Sequence, residues 1–132
     1  MLPKARYIHV SIYQTRPGAD AEFAEVVKLR RSSFDSINLD RPELAYQVIS
    51  GASSGTYLFV APLPSLKTFD DGLAKAPVYA ESAAAAKAGS KVTAQSEISR
   101  SNLLFRVEPG MSYVSDDFAS GDPEFWRPNS AK

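Results

Sequence analysis

His9 is the single histidine of this 132-residue chain, and it lies in the run Tyr7-Ile8-His9-Val10-Ser11-Ile12-Tyr13. Imidazole is the side chain whose unperturbed titration falls nearest neutrality, which makes His9 the one candidate catalytic residue, as proton shuttle or hydrogen-bonding anchor. Alternation along a strand puts Tyr7, Ser11 and Tyr13 on the same side as His9, the composition of a pocket wall. Arg106 adds a cation for an anionic or carbonyl group, Tyr57 a second phenol and Gln47 an amide. Tyr7, His9, Gln47, Tyr57 and Arg106 are therefore the candidate ligand-binding set.

Other chemistries are excluded by residue type. One histidine cannot form a His-His metal pair within a chain, the His/Glu zinc spacings are absent, and there are no cysteines. No metal site, thiol chemistry or disulfide is expected. Neither phosphate-cradling glycine pattern occurs, and no cofactor is expected. Gly51-Ala52-Ser53-Ser54-Gly55 matches the nucleophile-elbow pattern G-x-S-x-G. That motif needs a strand-to-helix turn and a histidine later in the chain. Here two strand-like runs flank it and His9 precedes it, so it reads as a hairpin loop.

The elements that must position these residues follow a strand–helix–strand–strand–helix–strand order. After the first strand, Arg16-Pro17-Gly18 makes a turn. A helix starts at Ala19 or Asp20, acidic early and basic late, with Phe23, Val26, Val27, Phe34 and Ile37 along one face. Arg30 interrupts that apolar stripe, which a snorkelling stem, a buried ion pair or a bend would explain. The runs 44–50 and 56–61, rich in β-branched and aromatic residues, read as a hairpin around residues 51–55, closed off by Pro62 and Pro64. Ser65 is a good N-cap for a helix carrying Leu66, Phe69 and Leu73. Gly72 weakens that helix and Pro77 suits the start of a new one over 78–87, so a broken second helix is expected. A short helix over 92–99 and a last strand over 103–108 complete the order.

The chain is one domain by length, residues 1–110, followed by a tail, 111–132, holding Tyr113, Phe118, Phe125 and Trp126. Aromatics at that density point to a tail that docks on the domain or on a partner subunit. Lys and Arg number 15 against 15 Asp and Glu, giving no net charge to attract nucleic acid. No apolar run is long enough for a membrane span, and the N-terminus has no signal-peptide core. Cytoplasmic location is the default expectation, or export if a signal peptide has been removed.

The strand Tyr7 to Tyr13, the turn Arg16-Pro17-Gly18 with Phe23 after it, and the strands Tyr46 to Gly51, Tyr57 to Val60 and Leu103 to Glu108 together resemble the dimeric α+β barrel superfamily. The similarity is to small antibiotic-biosynthesis-monooxygenase-like, haem-degrading and stress-responsive barrel proteins, over roughly residues 5 to 110. It implies a ferredoxin-like βαββαβ sandwich with a four-stranded antiparallel sheet, two copies of which pair their sheets into a barrel. The Asn, His and Trp set of haem-degrading members is not matched, because Trp126 is in the tail and Asn38 and Asn102 end elements. The implied function is binding of a small aromatic or apolar organic ligand in the barrel cavity. The alternatives are cofactor-independent monooxygenase-like chemistry and a non-catalytic homodimeric module.

The stripe Phe23, Val26 and Val27 needs an apolar partner, so Ile8 and Val10 are expected to face the helices. His9, Tyr7, Tyr13, Tyr57 and Phe59 would then form the open face, through which a two-fold homodimer is expected.

Overall fold

The computed structural model describes residues 2–36, 42–81 and 97–128. Four strands form one antiparallel sheet: β1 Tyr7–Thr15, β2 Leu44–Gln47, β3 Thr56–Leu63 and β4 Glu97–Arg106, in the spatial order β2-β3-β1-β4. Helix α1, Asp20–Ser36, links β1 to β2, and α2, Leu66–Glu81, follows β3. This is the βαββαβ ferredoxin-like α+β arrangement. Short helices α3, Asp116–Ala119, and α4, Pro123–Trp126, close the described chain.

Local chemistry sets the boundaries. Gly18 takes φ +78° before α1, where a Cβ would be disfavoured, and Asp20 and Glu22 meet the positive end of the helix. The Ser65 hydroxyl accepts a hydrogen bond from the Thr68 amide at the start of α2. Residues 51–55 form the β2–β3 hairpin loop, with Gly51 and Gly55 both at positive φ, so the G-x-S-x-G match is a turn between paired strands. Pro62 is tolerated inside β3 because β2 pairs only as far as Val60, leaving nothing on that side for a missing N–H to bond.

Several expected boundaries differ: β2 ends at Gln47 rather than at residue 50, and β3 is not stopped by Pro62 but runs through it to Leu63. Helix α2 runs unbroken through Gly72 and Pro77 to Glu81. Glycine weakens a helix by only about 1 kcal/mol, and proline, at about 3 kcal/mol, kinks a helix more often than it ends one. The expected segment beyond Glu81 lies outside the described residues. Residues 97–99, expected at the end of a short helix, belong to β4, because pairing along the whole of β1 outweighs weak local preference. That strand begins six residues earlier than the 103–108 run and ends at Arg106.

The facing of the sheet is the reverse of the expectation. Tyr13 packs against Phe23 of α1, with ring centroids 5.6 Å apart, and Phe59 meets Phe23 at 6.2 Å. His9 lies 5.3 Å from the ring of Phe69 on α2. The odd-numbered residues of β1 therefore face the helices, as do Tyr57, Phe59, Ala61 and Leu63 opposite them. The core is built from rings and small residues: Tyr13, Phe23 and Phe59 are buried, with Val27 and Tyr57 packed beside them. Burying Phe23 alone contributes about 2–3 kcal/mol. Ile8, Val10 and Ile12 lie on the other face. Both faces are apolar, so alternation alone could not say which one the helices cover.

Candidate functional site

The residues on the helix side of the sheet divide between its two ends. Tyr7 lies opposite Leu63 and Arg106, and His9 opposite Ala61 and Leu104. Tyr57 lies opposite Tyr13 and Gln47, six residues farther along β1 than Tyr7, which is about 20 Å at strand rise. All five candidate residues thus share one face, in two separate groups.

At the first end, His9 is half-buried against Phe69, and the exposed Arg106 donates through Nε to Glu108 at 2.7 Å. At the other, the Tyr57 hydroxyl donates to Asp20 at 2.7 Å, and the Gln47 amide approaches the same hydroxyl at 3.5 Å. The carboxylate beside it, helped by burial, holds the Tyr57 phenol above its ordinary pKa. This contact fastens the first turn of α1 to β3. Between the two ends, the buried Ser11 donates to Asn102 of β4 at 2.8 Å.

A concavity opens between α1 and the β2–β3 edge, beside the Tyr57 group. It encloses about 440 Å³ and is lined by Val27, Arg30, Phe34, Glu43, Ala45 and Phe59 among others. Arg30 organises it. Its guanidinium carbon lies 4.5 Å from the centroid of Phe59 and 5.7 Å from that of Tyr13. One terminal nitrogen donates to the Tyr13 hydroxyl at 2.8 Å, the other to Glu43 at 2.6 Å. The side chains of Arg30 and Glu43 are only 20% and 18% exposed. Of the explanations open for Arg30 in the apolar stripe, the structure therefore has the ion pair, with the guanidinium over the rings.

Such an arrangement can grip a small planar molecule. Phe34, Phe59 and Val27 offer apolar walls, and a guanidinium held at two points keeps further N–H donors for an incoming acceptor. Sequence reasoning missed Glu43 as a wall of this cleft and Tyr13 as a partner of Arg30, although Arg30 stood out as a cation in an apolar stripe. Among the described residues, no group of three or more acidic or histidine side chains could hold a metal ion. No described helix is long and apolar enough to cross a membrane.

Neither α1 nor α2 covers the opposite face, and Phe118 of α3 meets it only at the Leu44–Pro62 end. The rows of that face are Leu44-Val60-Val10-Leu103, Tyr46-Leu58-Ile12-Ser101 and Pro62-Ile8-Phe105. Leu44, Tyr46, Leu103 and Phe105 are each about half exposed. The face expected to be aromatic and open is thus mainly aliphatic, and Tyr7, Tyr13, Tyr57 and Phe59 lie on the other side.

At the Tyr7 end, the tail folds back on the N-terminal segment. Arg6 pairs with Asp122 and lies 3.7 Å above the ring of Phe125. The Trp126 indole N–H donates to the Pro3 carbonyl at 2.7 Å, and Phe118 meets Trp126 edge to face at 5.2 Å.

No family model matches the chain, and no curated protein matches it. Solved structures do share its fold. A NIPSNAP domain protein from Burkholderia xenovorans superposes with TM-score 0.55 at 11% identity, covering 83% of this chain and 99% of the other. A protein from Agrobacterium tumefaciens gives 0.54 at 8% identity, over 77% and 93%. SnoaB, a cofactor-independent oxygenase from Streptomyces nogalater, gives 0.49 at 20% identity, over 79% and 94%. At these identities the likeness to the first two is one of fold alone, and none of the three carries an activity.

Proposed function

We propose that this protein is a homodimeric small-molecule binder. Two copies pair through the aliphatic sheet face, and each binds a small aromatic ligand with a hydrogen-bond acceptor in its α1 cleft. The observation that supports it most is Arg30, held in place by Tyr13 and Glu43 across the ring of Phe59, at the wall of a cavity of about 440 Å³. A cation among rings is desolvated and pre-oriented, which favours a flat ligand that can stack and accept. The paired state of Arg30 and Glu43 suits binding better than acid–base chemistry, since each already satisfies the other.

Dimerisation follows from the open face. A sheet that exposes Leu44, Tyr46, Leu103 and Phe105 around Ile8, Val10 and Ile12 presents an apolar surface larger than a soluble monomer usually leaves uncovered. The Tyr7, His9 and Arg106 group is a second, smaller reading of the ligand site, supported by its placement on the same helix-side face.

A thermal-shift and ligand-observed NMR screen of aromatic carboxylates, phenols and neutral aromatics tests the reading. Ligands should protect the wild type, and Ala45→Trp, which fills the cleft from the β2 edge, should abolish the effect while the fold is kept. Binding that survives both Ala45→Trp and Arg30→Gln would place the site elsewhere. If it is lost in His9→Ala instead, the ligand belongs to the Tyr7 end.

A further inference from the structure

The stripe of α1 that lines the cleft is Val27, Arg30, Arg31, Phe34 and Asp35, spaced i, i+3, i+4, i+7 and i+8 along one side of the helix. Its charges are not equivalent. Arg30 is largely buried and already held by Glu43 and Tyr13. Arg31 and Asp35 are exposed at the mouth. Among the described residues the ion pairs of α1 are Lys28 with Glu25 and Arg30 with Glu43, so neither Arg31 nor Asp35 belongs to one.

Asp35 stands against the chemistry of its own helix. Helix α1 ends at Ser36, which puts Asp35 in the last turn, where unbonded carbonyls form the negative end of the helix dipole. An acid is disfavoured there, and no basic residue occupies that turn to offset it. Arg31, one turn earlier, is in the less favourable order, with the base preceding the acid. A carboxylate that costs the helix stability lies at the wall of a cavity of about 440 Å³. It is placed to meet a cation from outside the chain, and the helix carbonyls add to the same field.

We propose that Asp35 is the specificity-determining residue of the cleft, and that the ligand carries a protonated amine as well as an acceptor: an aromatic zwitterion of the α-amino-acid class. The inference rests on the α1-cleft reading and adds to it the charge of the ligand. The ring lies against Phe34 and Phe59, the carboxylate meets Arg31 and the donors that Arg30 keeps, and the ammonium meets Asp35. Charge balance favours this class over a simple anion. The ionisable groups of the wall are two guanidiniums and two carboxylates, so the wall as a whole is neutral. An aromatic carboxylate that reaches Arg31 comes within about 6 Å of Asp35, one helical turn away, and meets a like charge. An arylalkylamine meets Arg31 in the same way. A zwitterion gives each group its opposite.

Four probes share one ring and differ in charge: L-phenylalanine, phenylacetate, phenethylamine and 2-phenylethanol. Titrations followed by NMR should give L-phenylalanine a dissociation constant about tenfold or more below those of the other three. Asp35→Asn should raise the constant for L-phenylalanine about tenfold and leave that for phenylacetate unchanged or lower. The same variant should melt about 1–3 °C above the wild type, because the helix loses an acid from its negative end. Phenylacetate binding as tightly as L-phenylalanine, or Asp35→Asn leaving L-phenylalanine untouched, would overturn the inference; loss of that same binding in Ala45→Trp would keep the cleft reading standing. A variant that melts below the wild type would give Asp35 a structural role and overturn the inference as well. Failure of all four probes to bind would overturn it too, and the wider aromatic screen then decides the cleft reading by itself.

Discussion

Glu43 fixes Arg30 from the loop ahead of β2, 2.6 Å from its guanidinium, while the same group lies over Phe59. A cation this poorly hydrated needs that partner, because attraction to the rings replaces only part of its lost hydration.

The first prediction concerns this pair. Glu43→Gln removes the charge and leaves Arg30 with its Tyr13 hydrogen bond, so destabilisation of about 1–2 kcal/mol is expected. Arg30→Ala should destabilise by a similar or larger amount, since the guanidinium also covers Phe59. A double-mutant cycle in urea should give a coupling near 1 kcal/mol, with both exposures near 20%. A coupling near zero would make Arg30 a packing residue and weaken its role as ligand anchor.

The second prediction follows from Tyr57. Its hydroxyl donates to the Asp20 carboxylate, and that bond, then burial, raises its pKa above the ordinary value of about 10. A raised acid stabilises the fold fully at pH values below the unfolded pKa. Above about pH 10 the unfolded chain loses its proton first, and stability falls until the folded phenol also ionises. Spectrophotometric titration should show one late-ionising tyrosine that disappears in Tyr57→Phe and ionises earlier in Asp20→Asn. An unchanged titration in Asp20→Asn would remove Asp20 as the cause.

The element order of the fold was legible in the sequence because each strand and helix carries its own period and its own stop. The faces were not. Ile8 and Val10 looked like the core side because the stripe Phe23, Val26 and Val27 needs an apolar partner, yet the core is aromatic and they lie with Ile12 on the open surface. An apolar surface that waits for a second molecule has the same pattern as one buried within the chain. In the site, Arg30 was visible as an irregularity in a helical stripe. Its partner Glu43 was not, because the pairing joins a helix to a loop 13 residues on, which no periodicity records. Alternation put Tyr7 and His9 on one face of β1, but the facing of Gln47 and Arg106 and the distance from Tyr7 to Tyr57 depend on strand register, which the sequence does not record.

The third prediction concerns the tail clasp. The guanidinium of Arg6 holds the Asp122 carboxyl below its ordinary pKa. The contribution of that pair is therefore complete above about pH 4 and is lost as pH falls through the lowered value. Trp126 is the single tryptophan and is bonded to Pro3, so its fluorescence reports the clasp directly. Acid titration should change it below about pH 4, ahead of global unfolding. Asp122→Asn should remove that acid step and leave the tail looser at neutral pH. Identical acid profiles in the two proteins would mean that the aromatic contacts alone hold the tail.

The last prediction tests the turn that sets the β2–β3 register and, through it, the position of Ala45 beside Phe59. Gly55 has φ +82°, and a Cβ built on it would come 2.4 Å from the Thr15 hydroxyl oxygen. That oxygen cannot simply swing away, because it donates to the Gly55 carbonyl at 3.0 Å and Thr15 is almost fully buried. Gly55→Ala therefore meets both a disfavoured backbone region and a steric overlap, and should destabilise by about 2–4 kcal/mol. Gly51, also at positive φ, has open space where a Cβ would go, so Gly51→Ala should suffer the backbone penalty alone, about 1 kcal/mol. Chemical denaturation of the two variants should therefore rank Gly55→Ala well below Gly51→Ala. Equal stabilities would show that Thr15 moves aside freely, and that the end of β1 does not hold the hairpin in register.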